Sequence, residues 1–430
     1  MLSKIFQKLI QIFKIRDLRK SILFVLAMLI VFRIAAHIPL TGVDLESLKR
    51  FFTQNEILGF MNLLTGGGMS NFSLVALGVG PYITASIIIQ LLTMIVPSLE
   101  ELAKEGEAGY HKINQYTRLL AVPMAALQSY GMIVLLSNSS GQKIISNLGI
   151  WQLSSMIITM TAGCVFLMWL GELISEKKIG NGISLIIFAG IVSGLPSVLQ
   201  QTVVSFDSTK FVNLLIFIIL GLITVAGVVI ITEGQRNIPI SYARRVRGNK
   251  MYGGASTYLP LRVNQAGMIP IIFAISIVLF PPIVAQLLMK FQIGWLKVPA
   301  EFIYTIFQPS HYFYGIAYFV LVVAFTYFYT AVVFHPQKIA ENLQKQGGFI
   351  LGIRPGKPTS QYISNVSQRI MLAGATSLGI IAILPLITGP IFEIRSIALG
   401  GAGLLIIVSV VLETIKQIES QLTMREYEGL

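Results

Sequence analysis

The chain has 430 residues, of which 54% are apolar and only 12% are charged, whereas about a quarter of the residues of a soluble domain are usually charged. This composition excludes an ordinary soluble domain and indicates a protein that is surrounded by lipid. The formal net charge is +13, and the single cysteine, Cys164, excludes an intramolecular disulfide and a cysteine-based metal cluster.

The first 20 residues predict an amphipathic helix that lies on a membrane surface. Their sequence, MLSKIFQKLIQIFKIRDLRK, has apolar residues at positions 2, 5, 6, 9, 10 and 13 with lysines between them, which is the spacing of a surface-bound helix. The apolar run that follows lacks the small-residue cleavage site of a secretory signal. We therefore interpret that run as a retained membrane anchor.

Ten stretches come close to the length of mostly apolar sequence, about 20 residues, that a transmembrane helix needs. Numbered as spans 1 to 10, they cover residues 21–38, 74–96, 117–136, 153–171, 183–203, 211–232, 265–289, 313–334, 370–388 and 396–414. We expect spans 1 to 5 to form a first half over residues 21–204 and spans 6 to 10 to form a second half over residues 205–415. Residues 416–430 are then a C-terminal tail.

Lysine and arginine are distributed unequally between the two sets of loops. If the N-terminus is cytoplasmic, 24 of the 32 basic residues fall on the inner side and 7 on the outer side, and Arg33 lies within span 1. Because basic residues favour the cytoplasmic side, we expect both termini to be cytoplasmic. Attraction to anionic lipid accounts for much of this charge.

The inner loop over residues 233–262 is more basic than membrane orientation alone requires. Its positive side chains suit a phosphate group or an acidic cytosolic partner, and a cytosolic partner is the interpretation that we prefer. They are Arg236, Arg244, Arg245, Arg247 and Lys250.

Spans 2 and 7 occupy matching positions in the two halves, and both are interrupted by glycine and proline. In transporters with inverted repeats, such interruptions mark the working site, although both residues are also common in ordinary membrane helices. The pattern nominates spans 2 and 7 as a moving seam. Polar side chains that could form hydrogen bonds across the closed seam are Thr84, Gln90, Gln128 and Asn264. Local capping of a helix is an equally good interpretation of Asn264.

No catalytic motif can be recognised. The segment 352–358 superficially suggests a phosphate-binding loop, but only three residues separate its glycines and Pro358 replaces the Ser or Thr that would bind magnesium. The four histidines lack the spacing of metal ligands.

The rival class of protein is a secondary transporter. Such transporters usually keep an ionisable residue within the membrane, but the interiors of the predicted spans contain no Asp, Glu or His. Arg33 could either snorkel to the outer interface or serve a pore.

Several stretches, in order and at matching spacing, resemble the SecY family. They include VFRIAAHIPLTGV and ALGVGPYITASIIIQLL, and they cover residues 31–43, 76–92, 105–118, 168–196, 256–274 and 340–359. The resemblance implies an all-α polytopic membrane protein with ten transmembrane helices, arranged as two inverted five-helix halves around a central hourglass pore. It also implies a protein-conducting channel, not an enzyme, that passes unfolded secretory polypeptides across the membrane. Membrane segments would leave sideways between spans 2 and 7.

The same resemblance implies partners but no cofactor and no metal. The partners are SecE, SecG, signal peptides and nascent chains, with either SecA or a translating ribosome on the cytoplasmic loops and with ribosomal RNA as one contact there. DNA is not among them. The implied location is the plasma membrane, with lipid around the bundle. Energy would come from the partner ATPase or the ribosome.

A constriction ring of apolar side chains is also implied by the resemblance. It falls on Val79, Ile83, Ile183, Ile187, Ile272 and Ile406. An apolar ring resists ions by dewetting, and it can deform around a polypeptide of any sequence. Without the resemblance, isoleucines in such a chain would be interpreted as packing or lipid-facing residues.

Two further sets of residues follow from the resemblance. Docking of the motor or ribosome is expected at Arg354, between Gly352 and Pro355, and at Arg244, Arg245 and Arg247, although each could serve membrane orientation alone.

A plug is expected within residues 59–73. This segment is too short and too rich in glycine to span the membrane, and an outer surface loop is the alternative interpretation. The plug residues are Phe60, Met61, Asn62, Leu63, Leu64, Thr65, Gly66, Gly67, Gly68, Met69 and Ser70.

Overall fold

A computed structural model gives the fold of most of the chain. It describes residues 14–54, 58–59, 61–62, 65–137, 145, 149–204, 211–242, 245–247, 250–252, 257–289, 294–308, 311–392 and 401–428. Most of the predicted surface helix, residues 1–13, lies outside the described residues.

Each of the ten predicted spans overlaps one helix of the structure. In chain order these helices are α1 (Arg16–Ala35), α3 (Gly80–Ile95), α5 (Glu107–Ser137), α6 (Ile150–Glu176), α7 (Gly182–Val204), α8 (Phe211–Glu233), α9 (Ile269–Leu288), α11 (Tyr312–Val333), α13 (Lys357–Phe392) and α14 (Gly401–Glu428). Shorter helices lie between them: α2 (Leu45–Gln54), α4 (Pro97–Lys104), α10 (Gly294–Ile306) and α12 (Pro336–Lys345).

Five helical segments among the described residues are long and apolar enough to cross a membrane. The pair α3 and α4, which bends by 99°, adds a sixth if it is counted as one broken span. Two shorter apolar stretches, Gly182–Ser197 and Ile218–Glu233, belong to α7 and α8.

Three boundaries differ from the sequence prediction. Span 2 begins as a helix only at Gly80, because the preceding residues form turns in which Gly78 has a φ of +58°. Pro81 lies in the first turn of this helix, where the N–H that proline lacks would have no partner within the helix. Helix α13 begins 13 residues before span 9, at Lys357. Helix α14 continues to Glu428, so the predicted tail is largely an extension of the last helix.

The largest apolar core joins the two halves of the chain. It contains residues from α1, α3, α6 and α7 in the first half and from α8, α9, α11, α13 and α14 in the second. Between the halves, α9 contacts α3 and α5, and α14 contacts α7. The predicted seam between spans 2 and 7 is therefore a contact between α3 and α9.

The inner loops contain strands that the sequence analysis did not predict. Strand β1 (Gln235–Tyr242) lies between β4 (Thr257–Arg262) and β5 (Gly348–Ile350) in an antiparallel sheet, and β2 (Arg245–Arg247) pairs with β3 (Lys250–Tyr252). Ile238 and Ile240 of β1 are buried while the residues on either side of Ile238 are exposed, which is the period of two that a half-buried strand requires. The predicted all-α membrane fold is therefore confirmed, and the inner loops add these short strands to it.

Candidate functional site

The six predicted ring residues are all part of the large apolar core of the bundle. All of them belong to, or pack against, the core that joins the two halves. Val79, Ile187 and Ile406 are buried, whereas Ile83, Ile183 and Ile272 are partly exposed. They come from the N-terminal end of α3 and from α7, α9 and α14, so both halves contribute. The side chains of these six residues offer no polar group to an ion.

The position of Ile183 depends on a glycine that the sequence analysis did not single out. A Cβ atom on Gly171 of α6 would lie 2.7 Å from Cδ1 of Ile183. Gly182, next to Ile183, likewise lies against the carbonyl oxygen of Gly171. The two glycines therefore allow α6 and α7 to approach closely at the ring. The sequence signal was present, since Gly171 and Gly182 flank the short connection between spans 4 and 5.

The predicted plug segment is packed inside the protein over its described part. Phe60, Leu63 and Leu64 lie outside the described residues. Thr65 and Met69 are buried, and so is Phe72 just beyond the predicted segment. Met69 and Phe72 share a second apolar cluster with Leu48 and Phe52 of α2 and with residues of α5 and α6. Burial of this kind favours a plug over an outer surface loop.

In the described part of the predicted plug, helix is followed by turns. Residues 61 and 62 are helical, and residues 65–72 form turns. Gly66 has a φ of +67°, and the N–H of Gly67 donates to the carbonyl of Asn62 over 2.9 Å. A left-handed glycine with this hydrogen bond is a common way for a helix to end. Side chains also close the segment, because Asn62 Oδ1 accepts from the N–H of Ser70 over 2.8 Å.

Arg33 reaches the plug segment from α1. Its Nη1 donates to the carbonyl oxygen of Gly66 over 2.6 Å, and its side chain is partly buried. The guanidinium of Arg33 is therefore bonded to the predicted plug segment, a contact that snorkelling to the outer interface does not require.

The four polar residues predicted at the seam bond locally or within one half. Gln128 Nε2 of α5 donates to Thr84 Oγ1 of α3 over 3.4 Å. Gln90 Nε2 donates to Ser86 Oγ on the same helix, and Asn264 Nδ2 donates to the carbonyl of Gly267 over 3.0 Å. None of these bonds crosses from α3 to α9, and the local interpretation of Asn264 matches its geometry. In the described part of the chain, Gln90 Oε1 and Asn264 Oδ1 are buried acceptors without a hydrogen-bond donor.

The arginines predicted to dock a partner lie in the inner loops. Arg354 is exposed between Gly352 and Gly356, whose φ values are +80° and +97°. Its carbonyl accepts from Thr359 Oγ1 over 2.8 Å, which fixes the turn that presents it. Arg245 and Arg247 lie on the short strand β2, and Arg244 lies outside the described residues. Among the described residues, no group of three or more His, Cys, Asp or Glu side chains could hold a metal ion.

Comparison with known proteins identifies the family. The model of the SecY family matches residues 73–415. The protein translocase subunit SecY of Corynebacterium glutamicum is 44% identical over 98% of this chain and 99% of its own length. The chain belongs to the SecY family. It is therefore a multi-pass membrane protein and a subunit of a protein translocase rather than an enzyme with its own catalytic site.

Solved structures confirm the predicted SecY fold. One is a SecY protein whose plug domain stabilises the closed state of the translocation channel and maintains a membrane seal; it has a TM-score of 0.63 and 19% identity, and the alignment covers 92% of this chain and 91% of that one. Another is Sec61 in the canine ribosome-channel complex, with a TM-score of 0.59, 17% identity, and coverage of 92% of this chain and 91% of that one. At these identities the likeness concerns the fold.

Proposed function

We propose that this chain is a protein-conducting channel that passes unfolded secretory polypeptides through the ring of Val79, Ile83, Ile183, Ile187, Ile272 and Ile406. The observation that carries the proposal is that these six apolar side chains, from four helices and both halves, all belong to or pack against the one core that joins the halves. A passage lined in this way has no charge to select a substrate. A channel for polypeptides of many sequences requires that lack of selectivity.

The apolar ring also explains how the channel stays closed to ions. Water is unfavourable in a narrow apolar constriction, so ions would have to lose their hydration without finding a replacement ligand. Aliphatic side chains can nevertheless shift their rotamers to let a chain pass. Partial exposure of Ile83, Ile183 and Ile272 is consistent with side chains that face a passage on one side and the core on the other.

The exit to lipid runs between α3 and α9 in this proposal. The two helices contact each other, and the hydrogen bonds that Gln90 and Asn264 make are local rather than across the gap. A seam closed by packing can open without the loss of many hydrogen bonds. Signal peptides and hydrophobic segments of membrane proteins would leave here.

The segment 60–70 acts as the plug on the outer side of the ring. Burial of Thr65 and Met69 supports this role, as does the fold shared with a SecY protein whose plug domain maintains a membrane seal. Met61 packs against both the core that contains the ring and the outer cluster around Met69. The plug would therefore connect the ring to the outer helices.

The partners in this proposal are SecE, SecG and either SecA or a ribosome at the cytoplasmic face. The exposed Arg354 on a fixed turn supports docking there, and the fold of this chain is also that of Sec61 in a ribosome-channel complex. The excess of basic residues in the inner loops supports cytoplasmic termini, and the location that we propose is the plasma membrane.

Site-specific crosslinking of an arrested secretory chain tests the channel. A photoreactive residue is placed at Ile187 or Ile272 in the ring, and at Ile158 of α6, which is 68% exposed on the outside of the bundle, as the control. We expect the arrested chain to crosslink at both ring positions and not at Ile158. Equal crosslinking at the three positions, or none in the ring, would contradict a central passage.

A further inference from the structure

Arg33 carries a positive charge into an apolar part of the bundle. Within α1, Val25 and Phe32 are buried in the core that joins the halves, and Arg33 follows Phe32 directly. A charge in such surroundings is costly and persists mainly where it has a function. Its Nη1 donates to the carbonyl of Gly66 over 2.6 Å, so the guanidinium is directed at the plug segment, 33 residues further along the chain.

The carbonyl of Gly66 is presented to Arg33 by a conformation that suits glycine alone. Gly66 has a φ of +67°, where a side chain would be strained. A Cβ atom there would also lie 2.8 Å from Nη1 of Arg33 and 2.8 Å from Cα of Gly190 on α7. Gly66 is thus held between a cation on α1 and a bare backbone on α7. Three elements meet at one residue.

The segment around Gly66 is bonded to itself, so a restraint on one residue acts on all of it. Asn62 accepts from the N–H of Gly67, from Thr65 Oγ1 and, through Oδ1, from the N–H of Ser70. Ser70 Oγ in turn donates to the carbonyl of Gly67 over 3.1 Å. The described residues of the segment 62–70 are therefore joined to one another by hydrogen bonds of their own.

We propose that Arg33 is the positioning residue that latches the plug in the resting channel, through its hydrogen bond to Gly66. This inference rests on the proposed role of residues 60–70 as the plug. A bond from a charged donor is stronger than one between neutral groups. Because the acceptor is a neutral carbonyl rather than a carboxylate, release of the plug breaks one hydrogen bond without separating an ion pair. The latch is firm at rest and reversible when a polypeptide arrives.

The latch is tested first without any measurement of transport. Ser70→Cys, in a chain whose buried Cys164 is replaced by Ser, is labelled in resting membranes with a maleimide that cannot cross them, applied from the outer side. We expect Arg33→Met to raise the labelling rate about tenfold, the effect of losing a hydrogen bond to a charged donor, and Arg33→Lys to raise it less, because lysine can still donate. Lys20→Met, which removes an exposed cation from the same helix, is the matched control and should change nothing.

Gly66→Ala tests the latch from its other side. Its Cβ atom would displace the segment from Arg33 and Gly190, so we expect faster labelling of Ser70→Cys even if Arg33→Met proves difficult to insert into the membrane. An unchanged labelling rate in both Arg33→Met and Gly66→Ala would overturn the latch.

Resting conductance separates failure of the latch from failure of the plug. We expect Arg33→Met to raise the single-channel conductance of resting channels in the intact chain and to add nothing when residues 60–70 are deleted. An equal increase in both backgrounds would show that Arg33 acts elsewhere and would overturn the proposal. Faster labelling without any leak would support Arg33 as the restraint on the segment, while removing the sealing role proposed for that segment.

Discussion

Gln128 of α5 donates a hydrogen bond to Thr84 of α3 over 3.4 Å. Both residues belong to the first half of the chain, so this bond connects two helices on the same side of the seam. The helix that faces them, α9, contacts both α3 and α5. We therefore expect α3 and α5 to move as one body when the seam opens, and the resistance to opening must come from elsewhere.

Gln90 of α3 gives a first prediction about how readily the seam opens. Its Oε1 is a buried acceptor without a donor in the described part of the chain, and such an atom destabilises the closed state by about 1–3 kcal/mol. Gln90→Leu removes the acceptor, so we expect a more stable closed seam and a requirement for more hydrophobic signal sequences. The measurement is export of a reporter that carries signals of graded hydrophobicity.

Thr84→Val is the control for Gln90→Leu. It removes the hydrogen bond from Gln128 but leaves the contact between α3 and α9 unchanged. An interhelical hydrogen bond of this kind contributes about 0.6 kcal/mol to the stability of a membrane protein. We expect the threshold of signal hydrophobicity to stay where it is in this variant. If Gln90→Leu exported weak signals as well as the unmodified chain did, the buried acceptor would have no part in gating.

The contact between Gly171 and Ile183 gives a prediction about the ring. Gly171→Ala would place a Cβ atom 2.7 Å from Cδ1 of Ile183, which is the free end of a flexible side chain and can turn away from the new methyl group. We expect the variant to displace Ile183 and to raise the ion conductance of resting channels. Ile183→Val lacks the Cδ1 atom, so the double variant Gly171→Ala, Ile183→Val should recover most of the seal. A leak that is the same in the single and double variants would show that the contact does not set the ring.

The sequence was sufficient for the long helices but not for what joins them. Spans in lipid must be continuous apolar runs because backbone groups there have no water to bond, and all ten predicted runs overlap helices. The strands of the inner loops were missed because alternation over a few residues, as at Ile238 and Ile240, is a weak signal within a basic loop. The bond from Arg33 to Gly66 joins residues 33 positions apart, and no local pattern in the sequence encodes such a contact.

Asp44 gives a prediction about pH. Its carboxylate accepts from the hydroxyl of Ser47 over 2.6 Å and from the N–H of Glu46 over 3.1 Å at the start of α2. The bond from the Ser47 hydroxyl is the main reason that the pKa of Asp44 lies below its ordinary value. A lowered pKa means that this stabilisation is complete above the ordinary pKa of an aspartate, about 4, and is lost as the pH falls through the lowered value. Helix α2, whose Leu48 and Phe52 cover Met69 of the plug, should then loosen at its first turn.

The loosening of α2 can be followed with a spin label at the exposed position 49, as Lys49→Cys in a Cys164→Ser chain. We expect the label to become more mobile as the pH is lowered below about 4. Asp44→Asn keeps a good capping residue that does not titrate, so its profile should be flat over the same range. Identical profiles in the two chains would rule out Asp44 as the titrating group.

Arg354 gives the last prediction, which concerns the docking of a partner. The turn that presents it is fixed by the bond from Thr359 Oγ1 to its carbonyl and by the left-handed Gly352 and Gly356, none of which involves the guanidinium. Arg354→Glu should therefore leave the fold intact, because an exposed charge contributes little to stability. We expect the affinity of the purified channel for SecA or a ribosome to fall about tenfold or more, as at an interface hot spot. Lys357→Glu makes the same change of charge at the exposed first residue of α13, so it measures the effect of net charge alone and should weaken binding less. If the two variants bound the partner equally well, the forked guanidinium of Arg354 would have no specific role, and the inner loops would act through their summed charge.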